Sequence, residues 1–116
     1  PLTSEEQSLL EKCSGQVMLF RLKGPLSFGA AKGISERMML VRNYKALILD
    51  ISEVPRLGVT ATLALEDMVQ EALSNSRKAY VAGAQGKVKE RLAKFGVGNL
   101  IDTRKEALEI ALREMQ

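Results

Sequence analysis

Residues 46–51 read Ala-Leu-Ile-Leu-Asp-Ile, and this nearly unbroken apolar run decides the fold. Consecutive apolar positions predict a strand that is buried on both faces, which is typical of a parallel sheet with helices on each side. Such a strand lies inside a sheet, so the flanking sequence has to supply its neighbouring strands and the helices that cover them.

Three further segments predict the remaining strands: residues 17–22, 79–84 and 100–101. Between the strands, apolar residues recur at helical spacing and predict three helices: about 29–43, 61–73 and 87–95. The inward face of the first of these helices is predicted to hold Ala31, Ile34, Met38 and Val41. Two capping-box pairs, Thr3 with Glu6 and Thr103 with Glu106, predict a helix over about 4–12 and another at the end of the chain.

Strands and helices alternate along the chain, which predicts an α/β domain with parallel pairings and right-handed crossovers. No internal repeat, linker or low-complexity segment divides the 116 residues. We therefore expect residues 1–116 to form one domain, with a short linker and helix over about 1–15.

The composition limits the chemistry that the chain can perform. It contains no histidine and one cysteine, Cys13. Histidine is the commonest general base and the usual partner of a serine or cysteine nucleophile, and structural zinc sites are built mainly from cysteine and histidine. With no matched catalytic cluster either, we expect that the chain is not an enzyme and holds no cofactor or metal.

The charge of the chain is unevenly distributed. The net charge is +3, and between residues 77 and 105 there are eight basic residues against two acidic ones. In that segment Lys87, Arg91 and Lys94 share one side of a predicted helix. That side is either a solvated helix face or a contact for anionic lipid or an acidic partner. With five aromatic residues in the chain, we expect no nucleic-acid binding.

Polar residues follow the central strand and form a candidate regulatory segment: Asp50, Ser52, Gly58, Thr60 and Thr62. Asp50 lies near the predicted strand end, where an acid is usually solvated or caps a neighbour. Thr60 is placed to cap the next helix with its hydroxyl. The alternative is an exposed hydroxyl at a helix N-terminus, which is a favourable position for a phosphate group.

The turn Gly-Ala-Gln-Gly-Lys at residues 83–87 invites comparison with a phosphate-binding P-loop. A P-loop has four residues between its glycines and a serine or threonine after its lysine. This turn has two residues between its glycines, and Val88 follows the lysine. The pattern favours an ordinary turn between a strand and a helix, without a bound nucleotide.

Two phrases carry a resemblance to a known family. They are Gly-Pro-Leu-Ser-Phe-Gly-Ala-Ala at residues 24–31 and Leu-Asp-Ile-Ser-Glu-Val-Pro at residues 49–55. With them, the chain from about Val17 to Met115 resembles the STAS domains at the C-termini of SulP anion transporters, although Ser27 replaces an aromatic residue. Residues 57–61, Leu-Gly-Val-Thr-Ala, and the turn at 83–87 are similar to cyanobacterial BicA-type members, which take up bicarbonate with sodium.

The resemblance implies a STAS (SpoIIAA-like) α/β fold, a mixed, mostly parallel sheet of four to five strands packed against four to five helices. It implies a soluble, non-catalytic regulatory or assembly domain, cut from the cytoplasmic C-terminus of a transporter in the plasma membrane. Bicarbonate is the first implied substrate of that transporter and sulfate the second. The implied partners are the membrane domain, a second copy in a homodimer, and anionic lipid.

Two other functions remain open. STAS proteins that antagonise anti-sigma factors carry Asp-Ser-Ser-Gly at the start of the second helix, and the second serine is phosphorylated. This chain has Gly-Val-Thr-Ala at residues 58–61, so Thr60 alone retains a hydroxyl. The second hypothesis is a stand-alone phospho-switch with Thr60 as the phosphoacceptor, and the third is a nucleotide- or anion-sensing module.

Overall fold

The computed structural model describes residues 1–41 and 43–115. Its five helices are α1 (Ser4–Lys12), α2 (Phe28–Leu40), α3 (Val59–Ser74), α4 (Gly86–Lys94) and α5 (Arg104–Glu114). Its four strands are β1 (Val17–Lys23), β2 (Ala46–Glu53), β3 (Lys78–Ala82) and β4 (Leu100–Ile101). Within these ranges, no helix combines the length and apolar character that crossing a bilayer requires.

The sheet follows chain order, β1-β2-β3-β4, and each of its three pairings among the described residues is parallel. Parallel neighbours need crossover connections, and these are nearly always right-handed. Because each crossover advances the sheet in the same direction, α2, α3 and α4 all lie on one face. The predicted α/β fold, with four to five strands and four to five helices, is confirmed.

Two apolar clusters cover the two faces of the sheet. Leu47, Leu49 and Ile51 of β2 pack with the buried sides of α2, α3 and α4. Ala46 and Ile48 point the other way and pack with residues of α5 and with Cys13, next to α1. Residues 46–51 are at most 1% exposed, so the central strand is buried on both faces as its sequence predicted.

The prediction for the end of α2 was wrong. The helix ends at Leu40, and Val41 is extended, with φ −105° and ψ 124°. Its side chain is 43% exposed instead of facing the core. The chain must leave the helix here because β2 begins five residues later, and the Lys45 N–H, just before the strand, donates to the Gln16 carbonyl oxygen at 2.7 Å. Arg42, inside the predicted helix, lies outside the described residues.

Candidate functional site

The parallel topology brings the functional candidates to one edge of the sheet, which we call the carboxyl edge. Strands β1, β2 and β3 end there, so α2, α3 and α4 begin there. A parallel bridge between Leu26 and Leu57 joins the loops that precede α2 and α3. A cavity of about 330 Å³ also opens at this edge, and residues from the starts of α1 and α5 line it. Since β4 is parallel to β3 and also ends here, five helix starts lie around the ends of four strands.

Asp50 in β2 is the most deeply buried carboxylate at the carboxyl edge, with 1% of the residue exposed. Its Oδ1 atom accepts hydrogen bonds from the Ser52 N–H at 3.0 Å and from the Ser52 hydroxyl at 2.8 Å. Its Oδ2 atom accepts from Nη1 of Arg104 at 3.1 Å. Asp50 therefore caps the Ser52 N–H, as one of the two expectations for this acid had it, but it is not solvated, because it is buried against the Arg104 guanidinium group.

Arg104, the first residue of α5, connects three elements of the fold. Its Nε and Nη2 atoms donate to the two oxygens of Glu6 in α1, at 2.7 and 2.8 Å. Its Nη2 atom also donates to the Pro1 carbonyl oxygen at 3.3 Å. A bidentate arginine–carboxylate pair of this kind is among the stronger hydrogen-bonded contacts in proteins. We call this set the Glu6–Arg104–Asp50 cluster.

The electrostatics of the cluster favour the charged forms of Glu6 and Arg104. The hydrogen bond from Arg104 lowers the pKa of Glu6 from 4.5 to about 2, and this effect outweighs the desolvation that raises it. The same hydrogen bond raises the pKa of Arg104. At neutral pH these two side chains therefore hold fixed charges, which suits a structural contact better than proton transfer.

Sequence reasoning missed the role of Glu6 and Arg104. The capping box of α1 is present, because the Glu6 N–H donates to Thr3 and the Thr3 N–H donates to Glu6. Only the structure shows that the same carboxylate also binds Arg104. A signal was available in Arg104 itself, since a cation in the first turn of a helix opposes the helix dipole. Such a residue needs a compensating partner, and here it has two.

The close packing of Ser52 against Gly83 fixes the geometry of this edge. Gly83 has φ +82°, and a β-carbon added there would lie 2.6 Å from Cβ of Ser52. Both features require glycine. Other residues avoid this backbone conformation, and Ser52 in the adjacent strand leaves no space for a β-carbon. Gly83 in the 83–87 turn thus has a packing role.

The start of α3 differs from the prediction for Thr60. The N-cap is Gly58, with φ −76° and ψ 172°, and Thr60 is the second residue of the helix. Thr60 is exposed and does not provide the cap, because the helix begins one residue before it. Thr62 is completely buried, and its hydroxyl donates to the Gly58 carbonyl oxygen at 2.7 Å. Of the candidate regulatory segment, only Gly58 lies in the loop between β2 and α3.

The basic side of α4 forms as the spacing predicted. Lys87, Arg91 and Lys94 line one groove of about 290 Å³ together with Glu90 and Phe95. Lys87 and Arg91 also line a second groove, of about 320 Å³, whose other wall is the segment from Pro55 to Gly58. The second groove brings Arg56 close to Lys87 and Arg91 of α4.

The fold and its carboxyl edge define a class, a parallel α/β domain whose buried charges hold α1 and α5 to the sheet. The chain belongs to the STAS domain family, because the family model of the STAS domain matches residues 10–110.

Two relatives are similar over most of the chain. The Bicarbonate transporter BicA of Synechocystis sp. is 41% identical, over 96% of this chain and 21% of the relative. The Bicarbonate transporter BicA of Picosynechococcus sp. is 45% identical, over 81% of this chain and 17% of the relative. The chain thus spans about a fifth of the length of these relatives.

A solved structure shares the fold. The STAS domain of a SulP transporter from Vibrio cholerae is 28% identical and superposes with a TM-score of 0.81. The match covers 97% of this chain and 98% of that one. The fold expected from the resemblance is confirmed across nearly the whole of both domains.

Proposed function

We propose that this chain is the non-catalytic regulatory or assembly domain of a SulP-type anion transporter, on the cytoplasmic side of the plasma membrane. The observation that carries the proposal is the 41% identity to a bicarbonate transporter over 96% of this chain but only 21% of the relative. A match of this form is expected when a domain belongs to a much longer membrane protein. Bicarbonate is the first candidate for the transported ion and sulfate the second.

The chemistry of the carboxyl edge supports a role without catalysis. A general acid or base needs a titratable group that can exchange a proton near the working pH. The two oxygens of Glu6 are both bound by Arg104, and both oxygens of Asp50 accept hydrogen bonds from Arg104 or Ser52. These carboxylates therefore stabilise the fold through their hydrogen bonds.

Exposed apolar residues support the proposed assembly role. Met39 and Leu40, at the end of α2, are 67% and 82% exposed, and Leu73 near the end of α3 is 41% exposed. These residues lie at the edge opposite the carboxyl edge. We propose that this exposed apolar surface binds a second copy of the domain, since exposed apolar surface favours such association, and that the domain also contacts the membrane domain of the same transporter.

The transported ion is tested with the complete transporter, because the ion is selected outside this domain. The transporter is produced in cells that lack their own bicarbonate and sulfate uptake, and the entry of each labelled anion is measured with and without sodium. We expect sodium-dependent bicarbonate entry. Sulfate entry without bicarbonate entry would replace the first candidate by the second, and entry of neither ion would contradict the proposal.

A phospho-switch is the second candidate function, and the exposure of Thr60 favours it. The hydroxyl lies in the first turn of α3, which contains no acidic residue. A phosphate there would be stabilised by the helix dipole. Incubation with a kinase-like partner followed by mass spectrometry tests this role. Phosphate on Thr60 that releases the partner would favour the switch over the transporter domain.

Nucleotide or anion sensing, the third hypothesis, stays a prediction.

A further inference from the structure

We infer that the carboxyl edge of this domain docks on an anionic lipid bilayer, through a surface formed by the first turns of α2, α3 and α4. The inference rests on the proposed function, since it takes the domain to lie beside a membrane. It adds which edge faces the lipid and which residues touch it. We call the six residues that form it the lipid-facing surface: Phe28, Arg56, Val59, Leu63, Lys87 and Arg91.

Three exposed apolar side chains form the first part of this surface. Phe28 and Val59 are the first residues of α2 and α3, and they are 54% and 50% exposed. The Leu26–Leu57 bridge holds the loops before these residues side by side. Leu63, one helical turn beyond Val59, is 44% exposed. Apolar side chains that project from separate helix starts suit insertion between lipid headgroups.

Cations flank these apolar residues. Arg56 shares the groove of about 320 Å³ with Lys87 and Arg91, and Gly58 beside Val59 lines it too. In the part of the chain that the structure describes, none of these three cations has an ion-pair partner. Three exposed acids lie near the surface: Glu90 lines a groove with Lys87 and Arg91, while Asp102 and Glu53 pair with Lys89 and Arg21, at 3.7 and 3.1 Å. The surface therefore keeps an excess of positive charge.

The helix dipoles add to this field. The first turns of α2, α3 and α4 contain no acidic residue, whereas those of α1 and α5 do. None of these three positive helix ends thus has a carboxylate in its own first turn, on the side where the apolar residues project. Exposed cations around apolar side chains match the chemistry of a bilayer that contains anionic headgroups.

Pro1 and the start of α1 lie at the same edge. The Pro1 carbonyl oxygen accepts from Arg104 at 3.3 Å, and Thr3 and Glu6 line the cavity at the carboxyl edge. A membrane segment that preceded Pro1 would therefore enter the domain at the same edge as the lipid-facing surface. The Glu6–Arg104–Asp50 cluster would hold that entry point in place.

The test uses the 116-residue chain with single tryptophans, since the natural sequence contains none. Phe28→Trp places a fluorescent side chain in the lipid-facing surface, and Leu40→Trp places the matched control at the opposite, 82% exposed position. Each variant is titrated with vesicles of phosphatidylcholine and phosphatidylglycerol, and with vesicles of phosphatidylcholine alone. We expect the emission of Phe28→Trp to shift to the blue with the anionic vesicles only. Added salt should weaken the binding and with it the shift. Leu40→Trp should not shift.

A charge reversal then tests the cations. The triple variant Arg56→Glu, Lys87→Glu and Arg91→Glu should weaken vesicle binding by about a hundredfold or more. Each of the three cations contributes to binding near an anionic surface, and the variant replaces all three by acids. The control variant Lys12→Glu, Lys45→Glu and Arg113→Glu changes the net charge equally, at exposed positions towards the opposite edge. It should bind more tightly than the first triple variant.

The inference would be overturned by no binding to anionic vesicles, by equal shifts for the two tryptophans, or by equal loss in the two triple variants. A Phe28→Trp shift produced only by the membrane domain of the transporter would also overturn it and identify a protein contact instead. Absence of vesicle binding leaves the proposed function standing if removal of the domain still lowers anion uptake. The two ideas can therefore fail separately.

Discussion

The guanidinium group of Arg104, at the start of α5, lies 3.1 Å from the buried carboxylate of Asp50 in β2. The same guanidinium binds Glu6, so one side chain holds α1 and α5 to the centre of the sheet.

Replacing Arg104 should destabilise the domain strongly. Arg104→Ala leaves Asp50 and Glu6 with uncompensated, poorly solvated carboxylates, and removing one partner of such a set costs about 3 kcal/mol of unfolding free energy. Urea unfolding followed by circular dichroism measures this. Lys105→Ala is the matched control, because Lys105 pairs with the exposed Glu5 at the next position. Equal effects of the two variants would contradict the structural role of Arg104.

The acid stability of the domain should depend on Glu6. Its pKa is lowered from 4.5 to about 2 in the folded chain, so below pH 4.5 the unfolded chain binds a proton that the folded chain does not. The stabilisation is complete above that pH and is lost as the pH falls towards 2. Glu6→Gln should lower the unfolding free energy at pH 7, and its curve should approach the wild-type curve in acid.

Unfolding in urea at a series of pH values measures this difference. Glu5→Gln, at the neighbouring exposed position, serves as the control and should retain most of the acid dependence. A Glu6→Gln curve that stays parallel to that of the wild type down to pH 2 would show that Glu6 is not the group responsible.

Gly83 should tolerate no β-carbon. In Gly83→Ala the new atom meets Cβ of Ser52 at 2.6 Å in a conformation with φ +82°, and the conformation alone costs about 1–2 kcal/mol. Gly33→Ala in α2 is the control, since nothing lies within 4 Å of its added carbon and a helical alanine stabilises by about 0.5–1 kcal/mol. Opposite shifts in the melting temperature are expected, and a neutral Gly83→Ala would refute the close approach.

Two threonines in the first turns of α3 should respond differently to the same change. Thr62→Val removes a buried hydroxyl that donates to the Gly58 carbonyl oxygen, at a cost of about 1 kcal/mol. Thr60→Val changes an exposed hydroxyl and should leave the unfolding free energy almost unchanged. Chemical denaturation of both variants provides the comparison. A larger loss at Thr60 would mean that its hydroxyl, and not that of Thr62, supports the helix start.

The elements of the fold could be predicted because their signals are local. The apolar run of β2 and the Thr3–Glu6 capping box depend on neighbouring residues and were found where the sequence placed them. Glu6 and Arg104 are 98 positions apart, so their contact depends on how α1 and α5 pack. Thr60 was assigned as the N-cap because the helix was predicted to begin at residue 61. The helix begins two residues earlier, at Val59, so Gly58 is the N-cap.

The proposed regulatory or assembly role is tested most directly by measuring bicarbonate uptake by the complete transporter and by the same transporter without residues 1–116. The initial rate of labelled bicarbonate entry is divided by the amount of transporter in the membrane, which is determined separately. We predict that removing the domain lowers this rate or the amount of transporter in the membrane. An unchanged rate, with an unchanged amount and oligomeric state, would contradict a regulatory or assembly role for this domain.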